Sequence, residues 1–143
     1  MKRQEQVLFY QFRDKEKLNL SRNVLNRLGI FSRVLPEDAW NEKVGYLLGM
    51  KGFKKSGLPK EDDGFVFPHE VMILQNIRNK RLDEVLQALK EAGVAPVQFK
   101  SVVTPFNTLW TLRRLCETMQ KERTYMREQA EKKQKKAEWQ KEQ

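Results

Sequence analysis

The sequence is poor in the residues that most often carry chemistry. Its 143 residues include one cysteine and one histidine. Cys116 has no second cysteine for an intramolecular disulfide, and zinc sites built from grouped cysteines and histidines are excluded. A Cys116–His69 pair would require two residues far apart in sequence to meet in the fold. We therefore expect no metal, no cofactor and no enzymatic activity, and we interpret Cys116 as a small apolar core residue.

Long apolar runs and phosphate-binding loops are also missing. No stretch approaches the roughly 20 consecutive apolar residues that a membrane span requires. The apolar segment that follows the N-terminal MKRQEQ is too short for the core of a signal peptide. No segment has the Gly-x-x-x-x-Gly-Lys-Ser/Thr spacing of a phosphate-binding loop. We expect a cytoplasmic protein that makes no contact with a membrane.

Positive charge, in contrast, is abundant. The chain has 28 Lys and Arg against 19 Asp and Glu, which gives a net charge of +9 at pH 7. This charge attracts RNA and DNA over long range but does not by itself provide specificity. In the C-terminal tail, glutamates interrupt the positive charge. If the protein binds nucleic acid, the predicted contacts are Lys132, Lys133, Lys135 and Lys136. The alternative is that this segment is a solvated helix face.

Apolar patterns predict strands that alternate with helices. Short runs rich in apolar residues predict four strands, at residues 7–12, 30–35, 70–77 and 97–105. Apolar residues at helical spacing, bounded by capping residues, predict helices at 18–28, at 38–50, at 82–93 and from about 104 into the tail.

The two halves of the sequence resemble each other. The segment VLFYQFRDK matches the segment VMILQNIRNK. Each segment is followed by a predicted helix, a glycine and a predicted strand. This duplicated β-α-β pattern predicts an α/β fold with a four-stranded, mainly parallel sheet in the order 2-1-3-4. Helices would cover both faces, and a long helix would end the chain. The alternative is a ferredoxin-like α+β sandwich, which has the same central strands. We predict one domain over residues 1–126, followed by a charged extension, helical or disordered, over 127–143.

The segment VGYLLGMKGF places three glycines in and after a predicted helix. Glycine inside a helix costs roughly 1 kcal/mol relative to alanine, so these residues need a structural reason. Gly45 and Gly49 are four residues apart, and we predict that they share one helix face and allow close packing. Gly52 would end the helix. A leucine at position 49 should therefore destabilise the fold by overpacking.

Polar residues follow several of the predicted strands. Ligands of open parallel sheets bind beyond the carboxyl ends of the strands, where the strand order reverses. In the order 2-1-3-4 this crevice lies between the loops after strands one and three, beside the turn after strand four. These loops supply Arg13, Asp14, Asn76, Arg78, Asn79, Thr104 and Asn107. The set suits a small anionic molecule or a phosphate; the alternative is that the residues cap helices and turns.

Four stretches together are also similar to a known family. They are VLFYQF, VLPEDAWNEKVGYLLGMKGF, EVMILQNI and KSVVTPFNTLW. Over roughly residues 7–117 the chain resembles a small family of bacterial domains of unknown function, found mostly in anaerobic Firmicutes. The most specific motifs are Pro-Glu-Asp followed by Gly-Tyr-Leu-x-Gly, and Lys-x-Val-x-Thr-Pro. Phe106 stands where the family usually has a small polar residue, and the tail extends beyond the usual domain. The resemblance implies no activity and no site residues.

The sequence thus predicts a non-enzymatic cytoplasmic binding or regulatory module. Its partner would be another protein or a small anionic ligand. The alternative is a basic accessory protein that binds RNA or DNA.

Overall fold

The protein consists of a four-stranded sheet with helices packed on both faces. A computed structural model describes residues 4–56 and 65–141. The strands are β1 (Gln6–Tyr10), β2 (Phe31–Val34), β3 (Val71–Gln75) and β4 (Phe99–Val102). The α-helices are α1 (Lys15–Arg27), α2 (Val44–Leu47), α3 (Asn79–Glu91) and α4 (Leu112–Lys141). Short 3-10 helices precede α2 and α4, at Glu37–Asn41 and Asn107–Leu109 respectively.

The strand order β2-β1-β3-β4 confirms the predicted order 2-1-3-4. β1 pairs with β2, and β3 with β4, in parallel. The central pair, β1 with β3, is antiparallel, with Leu8 opposite Ile73. The sheet is therefore mixed, although most of its pairs are parallel. The parallel pairs and the helices on both faces exclude the ferredoxin-like alternative.

Both faces of the sheet are covered. Side chains alternate along β1, so that Leu8 and Tyr10 point to one face and Val7 and Phe9 to the other. The first face packs against the first 3-10 helix, α2 and the first turns of α4. The second face packs against α1 and α3. Since helices lie on both sides, every residue of β1 is buried, which explains its unbroken apolar run.

The predicted internal repeat is visible in the backbone. Gln11 and Asn76, each one residue past a central strand, have positive φ angles of 62° and 60°. Gly29 and Gly93, which follow α1 and α3, have φ angles of 75° and 87°. Residues of these two helices and the strands before them therefore correspond at a separation of 64 or 65 positions in the sequence.

The two halves contact each other at two places. In the β1–β3 pair, Leu8 lies opposite Ile73. Lys43 and Thr111, which precede α2 and α4, form an antiparallel bridge. Two backbone hydrogen bonds of 2.9 Å flank this bridge, one donated by each half. The halves are thus joined at two levels, in the sheet and at the start of α2 and α4.

The glycine-rich segment forms a shorter helix than predicted. Gly49, with a φ angle of 77°, ends α2, so the helix does not continue to Gly52. Among the described residues, a Cβ at Gly49 would come within 4 Å only of the Nη2 atom of Arg33, at 3.9 Å. The prediction that Gly49 packs closely was therefore wrong; its backbone conformation is what favours glycine. Gly45 does pack closely, since a Cβ there would overlap the ring of Phe53.

We predict that Gly45→Ala lowers the free energy of unfolding by about 1–3 kcal/mol, because the added methyl group displaces the Phe53 ring. Alanine has a higher helix propensity than glycine. A loss of stability in this variant would therefore come from the steric overlap with the Phe53 ring. The measurement is urea denaturation, repeated in a Phe53→Ala background that removes the ring. An equal loss of stability in both backgrounds would contradict the packing of Phe53 on Gly45.

Candidate functional site

The predicted crevice is divided between two edges of the sheet. Because β1 and β3 are antiparallel, their carboxyl ends lie at opposite edges. Arg13 and Asp14 follow β1 and lie at one edge. The remaining predicted residues follow β3 and β4 and lie at the other: Asn76, Arg78, Asn79, Thr104 and Asn107. The prediction of one shared crevice was wrong because it assumed that both central strands run in the same direction.

At the first edge, Asp14 is the N-cap of α1. Its Oδ1 atom accepts hydrogen bonds from the backbone N–H groups of Glu16 and Lys17, both at 3.1 Å. These bonds satisfy amides that the first helical turn leaves without partners. Arg13 precedes the cap and is exposed. Asp14 therefore has the capping role of the alternative interpretation.

At the second edge, Asn107 closes the turn after β4. Its backbone N–H donates to Thr104 Oγ1 at 3.1 Å, and its Oδ1 accepts from the Thr104 N–H at 2.9 Å. Its Nδ2 donates to the carbonyl oxygen of Val102 at 3.0 Å. Asn107 is buried and its side-chain amide is used by the turn. Asn79 begins α3 with a φ angle of 52°, and neither asparagine lines the cavity described next.

Three of the predicted residues meet in one cavity. Asn76, Arg78 and Thr104 line a space of about 340 Å³ at the carboxyl ends of β3 and β4. The rest of its wall is formed by Met50, Gln75, Val103, Pro105 and Thr108. Arg78 Nη2 donates to the Val103 carbonyl oxygen at 3.4 Å, which is the one hydrogen bond that its guanidinium group makes to the described part of the chain. The other guanidinium donors can therefore reach a ligand.

Hydrogen bonds hold two amides of this wall in place. Gln6 Nε2 donates to Gln75 Oε1 at 2.6 Å and to the carbonyl oxygen of Leu48 at 2.8 Å. Asn76 Nδ2 donates to the carbonyl oxygen of Gln4 at 2.8 Å. These bonds anchor the wall on the N-terminal end of β1 and on α2. The cavity is therefore supported before any ligand arrives, as a binding site requires.

A second cavity lies between α1 and the edge strand β2 and has a volume of about 540 Å³. Its wall is formed by Asn19, Arg22, Asn23, Asn26, Ile30, Phe31 and Ser32. This group was not predicted from the sequence. The signal that could have found it is the presence of three asparagines at helical spacing, since asparagine is disfavoured in helix interiors.

The basic tail is the projecting part of α4. The predicted nucleic-acid contacts lie in this exposed part of the helix: Lys132, Lys133, Lys135 and Lys136. At 3.6 residues per turn, these lysines share one half of the helix with Tyr125 and Trp139. Both aromatic side chains are exposed, by 62% and 59%. Glu131 and Glu138 lie on the other half, but Glu128 lies on the same half as the lysines, so the charges are only partly segregated.

Cys116 is fully buried in the core, as the sequence predicted. Burial raises the pKa of its thiol to about 12. The thiol therefore stays protonated at neutral pH and is unsuited to act as a nucleophile, because the thiolate is the reactive form. His69 packs its ring against Phe67 and Phe99, with ring centroids 5.5 and 5.0 Å apart.

Metal-binding clusters and membrane-spanning helices are both absent from the described residues. Across 4–56 and 65–141, no three or more His, Cys, Asp or Glu side chains are grouped so as to hold a metal ion. Within the same ranges, no helix has the length and apolar character needed to cross a membrane.

Residues 70–126 match the family model of a domain of unknown function, DUF3783. The match begins just before β3 and ends within α4, so it covers most of the second repeat. It confirms the resemblance to a family of domains of unknown function for this segment. The Lys-x-Val-x-Thr-Pro motif lies inside the match, and the Gly-Tyr-Leu-x-Gly motif lies outside it. No curated protein and no solved structure was found to match the chain.

We predict that the protein loses stability as the pH rises above 9. Burial raises the pKa of Tyr10 from 10.0 to about 12 and that of Cys116 from 9.0 to about 12. Below pH 9 both side chains are protonated in the folded and in the unfolded protein. Between the ordinary pKa values of 9.0 and 10.0 and a pH of about 12, the unfolded chain releases protons that the native protein retains. This difference favours unfolding.

The measurement is the free energy of unfolding by urea across this alkaline range. Cys116→Ala should make the dependence shallower, most clearly just above pH 9. A variant with the same pH dependence as the native protein would contradict the contribution of Cys116.

Proposed function

We propose that this protein binds a small anionic ligand in the cavity at the carboxyl ends of β3 and β4, as a binding or regulatory module without catalytic activity. The observation that carries the proposal is the convergence of Asn76, Arg78 and Thr104 on one space of about 340 Å³. Cavities of about 300–1,000 Å³ are typical of small-molecule sites.

The chemistry of the wall favours an anion. The planar Arg78 guanidinium can donate two parallel hydrogen bonds to a carboxylate or a phosphate. Thr104 Oγ1 accepts from the Asn107 N–H, which leaves the hydroxyl hydrogen to donate. Among the described residues, no aspartate or glutamate lines the cavity. The N-terminus of the thirteen-residue helix α3, directly after Arg78, adds partial positive charge.

The apolar part of the wall indicates the shape of the ligand. Met50, Val103 and Pro105 line the same cavity as Arg78. A molecule with an anionic group and an apolar portion would use both parts. A small carboxylate or phosphate ester with a short hydrocarbon portion therefore fits better than inorganic phosphate.

A partner protein would respond to the occupied site. Phe106 and Leu109, in the turn that follows Thr104, are 76% and 61% exposed. Exposed apolar side chains beside a ligand cavity are suited to protein contact. As part of the same proposal, we place the protein in the bacterial cytoplasm, a reducing compartment in which a lone cysteine such as Cys116 persists.

Arg78→Gln should abolish the thermal stabilisation that small carboxylates and phosphate esters give the native protein, or weaken their binding at least about tenfold. Differential scanning fluorimetry with a panel of such compounds measures the effect. Arg13→Gln is the matched control, since Arg13 occupies the corresponding place in the first repeat and the substitution removes the same charge. Equal losses of affinity in both variants, or a native protein that no compound stabilises, would refute the proposal.

A second candidate function, binding of RNA or DNA, is favoured by one observation. Four lysines and two aromatic side chains share one half of the exposed part of α4. Lysines neutralise phosphates, and exposed aromatic rings stack on bases of single strands. The net charge of +9 adds long-range attraction.

Replacing the four tail lysines with glutamine should weaken binding to single-stranded RNA. The slope of log affinity against log salt concentration should become shallower by about 0.7 for each phosphate that the variant no longer neutralises. Gel-shift titrations over a salt series measure both effects. A control variant removes four exposed lysines outside the tail: Lys15, Lys54, Lys55 and Lys90. If both variants bind RNA equally weakly, net charge alone explains the binding and α4 is not the site.

A further inference from the structure

Three asparagines on α1 have no structural role within the described part of the chain. Asn19, Asn23 and Asn26 are spaced by four and three residues and lie on one exposed face of the helix. Asparagine is disfavoured in helix interiors because its side-chain amide competes for the hydrogen bonds of the backbone. The N-cap of α1 is Asp14, so none of the three caps the helix. Their side-chain amides form no hydrogen bond to a described residue.

These amides face a cavity whose described wall residues include no acidic side chain. The space of about 540 Å³ is bounded on the helix side by the three asparagines and Arg22, and on the sheet side by β2. Arg22 Nε donates to Ser32 Oγ at 3.1 Å, and Nη2 to the Ser32 carbonyl oxygen at 3.4 Å. These bonds fix the guanidinium group beside the sheet edge. A positive charge is therefore present in the wall, and none of these wall residues carries a negative one.

The edge of β2 adds backbone groups to the same wall. The N–H groups of Phe31 and Leu35 donate to β1, to the carbonyl oxygens of Glu5 and Phe9. In a parallel pair, alternate residues direct their peptide groups to the same side. The N–H of Ser32 therefore points away from β1, toward the open edge. It provides a donor with a fixed position next to the side-chain amides.

We propose that this cavity binds the base of an adenine nucleotide. An asparagine amide presents a donor and an acceptor side by side, and this pair matches the N6 and N7 atoms of adenine. Arg22 is placed to contact the phosphate, and a wall of described residues without carboxylates avoids repulsion. The ligand chemistry, a base joined to a phosphate, occurs both in free nucleotides and in single-stranded RNA.

The second repeat provides an internal comparison. Asp83 and Gln87 occupy in α3 the positions that Asn19 and Asn23 occupy in α1. Gln87 Nε2 donates to Glu91 Oε1 at 3.1 Å, so its amide is used within the helix. An acidic side chain and an occupied amide thus replace two of the three asparagines. The site belongs to the first repeat and has a different set of wall residues from the Arg78 cavity.

The test is the triple variant Asn19→Ala, Asn23→Ala, Asn26→Ala. Alanine favours helix more than asparagine does, so the melting temperature should rise while 5′-AMP affinity, measured by calorimetry, falls at least about tenfold. Gln87→Ala is the matched control and should keep the native affinity. A fall in melting temperature would show that the asparagines serve the fold, and unchanged AMP affinity would exclude them from the site. Either result overturns the proposal.

Binding of 5′-AMP, ribose 5-phosphate and an adenosine RNA octamer tests whether the base is recognised and whether the ligand is a free nucleotide or a single strand of RNA. Binding of 5′-AMP at least about tenfold tighter than that of ribose 5-phosphate supports recognition of the base, and equal affinities overturn it. An adenosine RNA octamer that binds tighter than AMP, and loses this affinity in the triple variant, supports a single strand as the source. Equal or weaker octamer binding supports the free nucleotide. If neither AMP nor the octamer binds the native protein, the proposal is wrong.

Discussion

The antiparallel pairing of β1 with β3 determines the layout of the whole molecule. It joins two parallel β-α-β units through strands that are buried on both faces. The same pairing places corresponding parts of the two units at opposite edges of the sheet. Arg13 and Arg78, which a parallel sheet would bring together, therefore lie at opposite edges of the sheet. Each of the two candidate cavities is lined mainly by residues of one unit, and the other unit differs at corresponding positions, such as Asp83 and Gln87 for Asn19 and Asn23.

The divergence of the two units is clearest after the bridge between Lys43 and Thr111. Counting from this bridge, Gly45 and Gly49 correspond to Arg113 and Glu117. In α4 the second pair forms an ion pair, with Arg113 Nε 2.7 Å from Glu117 Oε1, and the helix is 30 residues long. In α2 the first glycine accepts an aromatic ring and the second ends the helix after four residues. The two glycines therefore lie in and just after the shorter of the two corresponding helices.

The sequence predicted the strand order and most of the elements because periodicity and the repeat carry that information. It could not give the direction of β3, since a strand buried on both faces shows the same apolar run whichever way it points. That single ambiguity accounts for the wrong prediction of one crevice. Asp14 and Asn107 were ambiguous for another reason, because capping residues and ligand-binding residues are of the same types. The α1 asparagines were missed because each one alone resembles an ordinary surface residue.

The length of α4 has a consequence for how its distal side chains are presented. Helix formation is limited by its first turn, and each later residue adds a hydrogen bond at little further cost. The first turns of α4 are held on the core by Leu112 and Cys116, so the distal part grows from an existing nucleus. Residues 124–141 thereby extend roughly 27 Å as a continuous helix. A binding partner meets these side chains already arranged in space, and less conformational entropy is lost on association.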